Sequence, residues 1–127
     1  TRNSDWKDIV RAVIESVAYQ SFDLLRSMNN DGLKPRIIKV DGGMVSNDWF
    51  LQFLSDILDT KVIRSKIQET TALGAAFIAG YQIDVYKSLN SISKKWKINR
   101  RFSRKIDKSY RSKLLKGWQQ AIKRTLV

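Results

Sequence analysis

Two short runs rich in β-branched residues, "RIIKV" (residues 36–40) and "KVIRSKI" (residues 61–67), constrain this chain most, because helical periodicity surrounds both. Before the first run, residues 6–28 place Ile9, Val13, Val17, Ala18, Leu24, Leu25 and Met28 on one face, with Ser4 or Asp5 available as N-cap. That helix is expected to stop at "NNDG", where Asn30 or Gly32 can take the left-handed conformation, and Pro35 blocks any continuation. Between the runs, Ser46 or Asn47 caps a second helix with Phe50, Phe53, Leu54, Ile57 and Leu58 on its apolar side, ending near Asp59. After the second run, Thr70 or Thr71 starts a third helix whose Ala72, Gly74, Ala75, Ala76 and Ala79 allow close packing before Gly80. Strands alternating with helices predict an α/β fold with right-handed crossovers and a parallel sheet. A polar, basic connection then leads to a last helix over residues 108–124, with Tyr110, Leu114, Leu115, Trp118, Ala121 and Ile122 on its apolar face.

Two strands are fewer than the usual four to six, and they leave edges and apolar surface uncovered. The pattern therefore predicts half of a sheet, its other strands lying upstream, and an edge prone to self-association. The first residue, Thr1, is not a methionine, which also suggests a fragment, a processed chain or a trimmed one. Size sets no obstacle to a core: 127 residues with 43% apolar side chains suit one ordinary domain. The absence of Cys and His excludes disulfides, thiolate metal sites and the usual zinc constellations, and it fits a cytoplasmic location. The longest apolar run, "ALGAAFIAGY", falls short of the ~20 residues of a membrane span, and "TRNSDWKD" has no signal-peptide pattern. Residues 1–86 carry 10 basic and 11 acidic side chains, whereas residues 87–127 carry 14 basic and one acidic, so the net charge of +12 belongs to the tail.

The stretch "VDGGMVSNDWF" (residues 40–50) sits where the first strand ends and the second helix begins. In parallel α/β sheets ligands bind beyond the carboxyl ends of strands, where helix amino termini direct N–H groups into the crevice. Gly42 and Gly43 let a flat ligand or phosphate approach the main chain, and Asn47 supplies an amide able to donate and accept. The pattern lacks the Lys-Ser or Lys-Thr of a P-loop and the third glycine of a dinucleotide fingerprint. On spacing alone a tight strand-to-helix turn with a capped helix is the favoured reading over a ligand site.

Over a longer range, "VDGGMVSNDWFLQFLSDIL" followed by "ETTALGAAFIAGY" resembles the carboxyl-terminal part of the glycerol kinases in the FGGY carbohydrate kinase family. "DIVRAVIESVAYQ" (residues 8–20) resembles the second half of that family's second signature, and Trp96, "RRF", Arg111 and "GWQQAIKR" resemble its tail. The resemblance implies an actin-like ATPase fold built of RNase-H-like domains. Residues 1–86 would be the end of the second kinase domain with its nucleotide loop, and residues 87–127 a basic tail whose helix packs on the same domain. It implies ATP or ADP with magnesium as cofactor, and Gly42, Gly43 and Asn47 as nucleotide-binding residues. Glycerol would be the substrate, and a homo-oligomer the assembly. The catalytic base and polyol site would lie in earlier sequence, so no catalytic residue and no metal ligand is expected here, and the chain alone should not be a kinase. Departures from the family pattern at Asp84, Val85, Tyr86, Arg104, Ile106 and Leu115 fall outside the glycine loop and bear on tail docking and oligomer contacts.

The remaining candidates have plainer readings. Asp41 could orient water or magnesium but more often caps local N–H groups, while Glu15 and Gln20 suit a polar surface. Asp56 is ambiguous, Trp49 and Phe53 are expected in the core, and the alanine-rich helix is expected to lie close on the sheet. The competing function is a non-enzymatic basic module for nucleic acid or anionic surfaces. The tail helix keeps a coherent apolar stripe that needs a protein surface, so neither nucleic acid nor membrane is the expected partner.

Overall fold

Asp5, rather than Ser4, opens the first helix. Its carboxylate accepts from the N–H groups of Lys7 (2.9 Å) and Asp8 (3.1 Å), and the Asp8 carboxylate accepts from Asp5 N in return. The helix, α1 (Trp6–Asn30), ends on Gly32 at φ +89°, with Gly32 N donating to Asn29 O and Leu33 N to Met28 O. The computed structural model describes residues 4–67 and 69–126. The chain continues through β1 (Ile37–Val40), a 3₁₀ turn (Gly43–Ser46), α2 (Asp48–Leu58), β2 (Lys61–Ser65), α3 (Thr70–Gln82), α4 (Leu89–Ser93), β3 (Ile98–Phe102) and α5 (Lys108–Thr125).

β1 and β2 are parallel, with Ile38 beside Val62, as the alternation of elements predicts. The sheet departs from expectation at its other side. β3 pairs antiparallel with β2, Phe102 beside Val62, which gives a mixed sheet in the order β1-β2-β3. Residues 98–102 fall within the stretch whose sequence reads as a polar connection, because Asn99, Arg100 and Arg101 hide the alternation. An edge strand has one solvated side and tolerates such charges. β1 forms the opposite edge.

The core lies between α1, α2, α5 and one face of the sheet. Leu51, Ile57 and Val62 are wholly buried, joined by Ala18, Phe102 and Leu115. Asn47 caps α2 by accepting from Phe50 N at 3.1 Å, and Asp59 leaves it in the left-handed region at φ 53°. The basic tail is tied down by specific bonds. The buried Asp56 accepts from Lys105 N at 2.7 Å and from Gln52 Nε2 at 3.0 Å, while Gln52 also donates to Ser103 O. Arg111 Nε donates to Ile57 O at 2.8 Å, and burial holds its guanidinium pKa below the ordinary value. Trp118 stacks on Tyr19 at 5.3 Å and donates to Asp23 Oδ2 at 2.7 Å. These partners make Asp56 a structural anchor.

Two packing expectations fail. No described residue of α3 is buried, and Ile78 and Tyr81 are exposed, so the alanine-rich helix is not held close on the sheet. Small side chains permit close approach but supply little area to drive it. Trp49 is 45% exposed. It lies on the rim of α2, stacked on the half-buried Phe53 with Arg11 at 5.7 Å from its ring. Glu15 is less solvated than expected because it pairs with Arg11 at 2.6 Å, whereas Gln20 is exposed.

Burial, aided by the nearby Glu15 carboxylate, pushes the Tyr19 hydroxyl from 10.0 up to about 12. The folded chain then keeps a proton that the unfolded chain has released, so stability is intact below pH ~10 and falls as pH rises towards ~12. Melting temperatures across that window should decline in the wild type and decline less in Tyr19→Phe. Parallel profiles would show that Tyr19 does not titrate as its burial implies.

Candidate functional site

β1 delivers the chain at Val40 to the exposed Asp41, Gly42 and Gly43. The two glycines have different causes. Gly42 sits at φ +91°, which side-chain-bearing residues rarely adopt. Gly43 has no such conformation, and a Cβ built on it meets nothing within 4 Å. Neither backbone nor packing among the described residues requires a glycine at that position, although glycine costs up to about 1 kcal/mol of order in a structured segment. The bare face is open outward.

Asn47 lies four residues on, exposed, with its Oδ1 already engaged by Phe50 N. No hydrogen bond occupies its Nδ2 among the described residues, so the amide expected to donate and accept is chiefly left to donate. The structure thus brings Gly42, Gly43 and Asn47 together in one turn at the carboxyl end of β1. Asp41 lies beside them, but no group of three or more His, Cys, Asp or Glu side chains able to hold a metal occurs among the described residues.

Sequence reasoning passed over what lies beneath this turn. Arg64 on β2, only 13% exposed, donates from Nη1 to Val45 O at 2.7 Å and approaches Ser46 O at 3.4 Å. Its Nε donates to Asn99 Oδ1 on β3 at 2.9 Å. Asp48 Oδ1 lies 2.8 Å from Arg64 Nη1 but outside hydrogen-bond geometry, a charge contact, and Asp48 Oδ2 pairs with Arg100. Arg64 and Arg100 are cross-strand neighbours, a like-charge pair that would repel without the carboxylate between them. The available signal was an arginine directly after the apolar pair Val62 and Ile63 of the second run.

A cavity of about 300 Å³ adjoins the same strand ends, lined among others by Lys39, Asp41, Ser65, Phe77 and Trp96. The Lys39 ammonium stands 4.2 Å from the Trp96 ring centroid. Gly42, Gly43 and Asn47 do not line it. No helix among the described residues is long and apolar enough to cross a membrane.

Residues 1–83 match the profile described as the FGGY family of carbohydrate kinases, C-terminal domain. The chain is 48% identical over 128 residues to the glycerol kinase of Gluconobacter oxydans, covering 100% of this chain and 25% of that protein. Among solved structures it superposes on the Plasmodium falciparum glycerol kinase with ADP at a TM-score of 0.85 and 38% identity, covering 100% of this chain and 26% of that one. Ligand-bound xylulose kinase from Lactobacillus acidophilus, at 21% identity and a TM-score of 0.70, covers 92% of this chain and 23% of its own and shows the same fold. The chain spans about a quarter of the length of the curated relatives it matches.

Proposed function

Because this chain belongs to the FGGY family of carbohydrate kinases and has the fold of an actin-like ATPase, we propose that it is the nucleotide-binding part of an ATP-dependent polyol kinase that phosphorylates glycerol. Residues 1–86 form the end of the second kinase domain and residues 87–127 a tail that closes the same body. The observation that carries this reading is Gly43, a glycine that its own fold does not require, at a strand end. Gly42 and Gly43 let phosphate and adenosine atoms lie against the main chain, and Asn47 Nδ2 donates to the nucleotide. That the similar Plasmodium protein was solved with ADP supports the choice of ligand.

The reaction moves the γ-phosphoryl group of ATP to a terminal glycerol oxygen, whose proton passes to a base, leaving ADP and glycerol 3-phosphate. Transfer requires base, metal and charge stabilisation to be positioned together. This chain contributes nucleotide positioning, so the base and polyol contacts belong to the further length its relatives have. Magnesium would arrive with the ATP phosphates and would supply charge stabilisation to the transferred group. The free edge of β1 and the exposed Trp6, Ile9 and Val13 of α1 suit that further sequence as their cover. Assembly into a homo-oligomer and a cytoplasmic location complete the proposal.

The test is ADP titration of the chain followed by backbone amide shifts. Shifts centred on residues 42–47 are expected; a chain unmoved by millimolar ADP would sink the reading. No glycerol phosphorylation is expected from the chain alone, with turnover appearing when the remaining kinase sequence is added. Robust turnover by the chain alone would show that the catalytic groups have been misassigned. Duplex DNA in a parallel titration should bind weakly and be released between about 50 and 200 mM salt, as phosphate contacts alone predict. Sequence-selective binding at physiological salt would favour a basic nucleic-acid module instead.

A further inference from the structure

Arg64 lies beneath the loop and is the group to which the loop is fastened. Its guanidinium donates to the carbonyl of Val45, approaches that of Ser46, and reaches across to Asn99 on β3. Those carbonyls close the 3₁₀ turn that Gly43 opens. A planar cation with donors in fixed directions can hold acceptors from two elements at once, which a lysine ammonium on a flexible stem does less well. Asp48, the first residue of α2, faces both Arg64 and Arg100, so the carboxylate draws two repelling guanidiniums to one place.

We infer that Arg64 is a positioning residue for nucleotide binding: held by Asp48, it fixes the turn behind Gly42 and Gly43, and through Asn99 and Arg100 it makes β3 a structural partner of the loop. The inference rests on the nucleotide reading given above. Its consequence is that the tail, which contributes no residue to the proposed ligand surface, sets the order of that surface. Loosening β3 should therefore loosen the loop even when the core is intact.

The experiment reads hydrogen exchange at individual amides of the 127-residue chain, with ADP affinity measured in parallel. In Arg64→Gln, exchange at Val45, Ser46 and Asn47 is expected to accelerate about tenfold, while Leu51, Ile57 and Val62 keep their wild-type protection, because only the loop tether is lost. Asn99→Ala, which removes one contact from the β3 side and leaves Arg64 in place, should show a smaller acceleration confined to the same amides. The ADP dissociation constant should rise about tenfold in Arg64→Gln and less in Arg64→Lys, because the ammonium recovers a single bond. Unchanged loop exchange in Arg64→Gln, or acceleration spread equally through the core, would overturn the positioning role. The exchange measurement needs no ligand. Wild-type chain that fails to bind ADP while Arg64→Gln loosens the loop would therefore refute the nucleotide reading and leave the fastening established.

Discussion

Replacing Gly43 by valine is expected to raise the ADP dissociation constant at least about tenfold while leaving the melting temperature nearly unchanged. A Cβ at this position meets nothing within 4 Å, and no left-handed φ is present to strain it. The change in folding free energy is then small, because the chain entropy that glycine loses on ordering is no longer lost, which offsets the restricted rotamers of a β-branched side chain. The same Cβ and its two methyls occupy the face on which we place the nucleotide, and a loss of about 1.4 kcal/mol there is a factor of ten in affinity. Gly42→Val serves as the contrast. Its φ of +91° makes any side chain costly, about 1–3 kcal/mol, so stability and binding should fall together. Equal ADP affinity in Gly43→Val and wild type would remove Gly43 from the site.

The largest loss of stability should follow Trp118→Ala, at about 3 kcal/mol, within the range for truncating a large aromatic in a packed setting. Trp118 stacks on Tyr19 and donates to Asp23, and Leu114 and Leu115 beside it close the core from α5. Removing the indole leaves Asp23 without that donor and Tyr19 without its stacking partner. Trp118→Phe keeps the ring and loses the N–H, so it should cost about 1–2 kcal/mol. Denaturant midpoints of the two variants measure the difference. A Trp118→Ala chain as stable as wild type would mean that α5 is not held where the geometry has it.

Much of the fold could be read because its elements carry strong local signals. Asp5, Gly32, Asn47 and Asp59 punctuate α1 and α2 within a residue or two of where capping chemistry puts them. The parallel pairing of β1 and β2 follows from the helix between them. β3 could not be read that way, since its partners are chosen by tertiary contact: Phe102 enters the core while Asn99 and Arg100 answer Arg64 and Asp48. Trp49 misled because helical spacing assigns a face but does not say how far the neighbouring helix extends over it. The glycine loop was visible as a pattern, and its family resemblance supplied the ligand. That Gly42 is explained by backbone and Gly43 is not required coordinates.

The bond from Trp118 to Asp23 spans 95 positions. Closing a loop of that length costs on the order of 4 kcal/mol in chain entropy before any contact offsets it. Contacts with such separation form late and slow the search for the native state. While a ribosome makes this protein, α1 and its edge-on partner Phe53 are complete long before the stacking partner Trp118 exists, and the ring face of Tyr19 that Trp118 covers must wait through nearly a hundred additions at about 5–20 residues per second. The interval is several seconds, during which the nascent helix presents a sticky face to whatever stands near the exit tunnel.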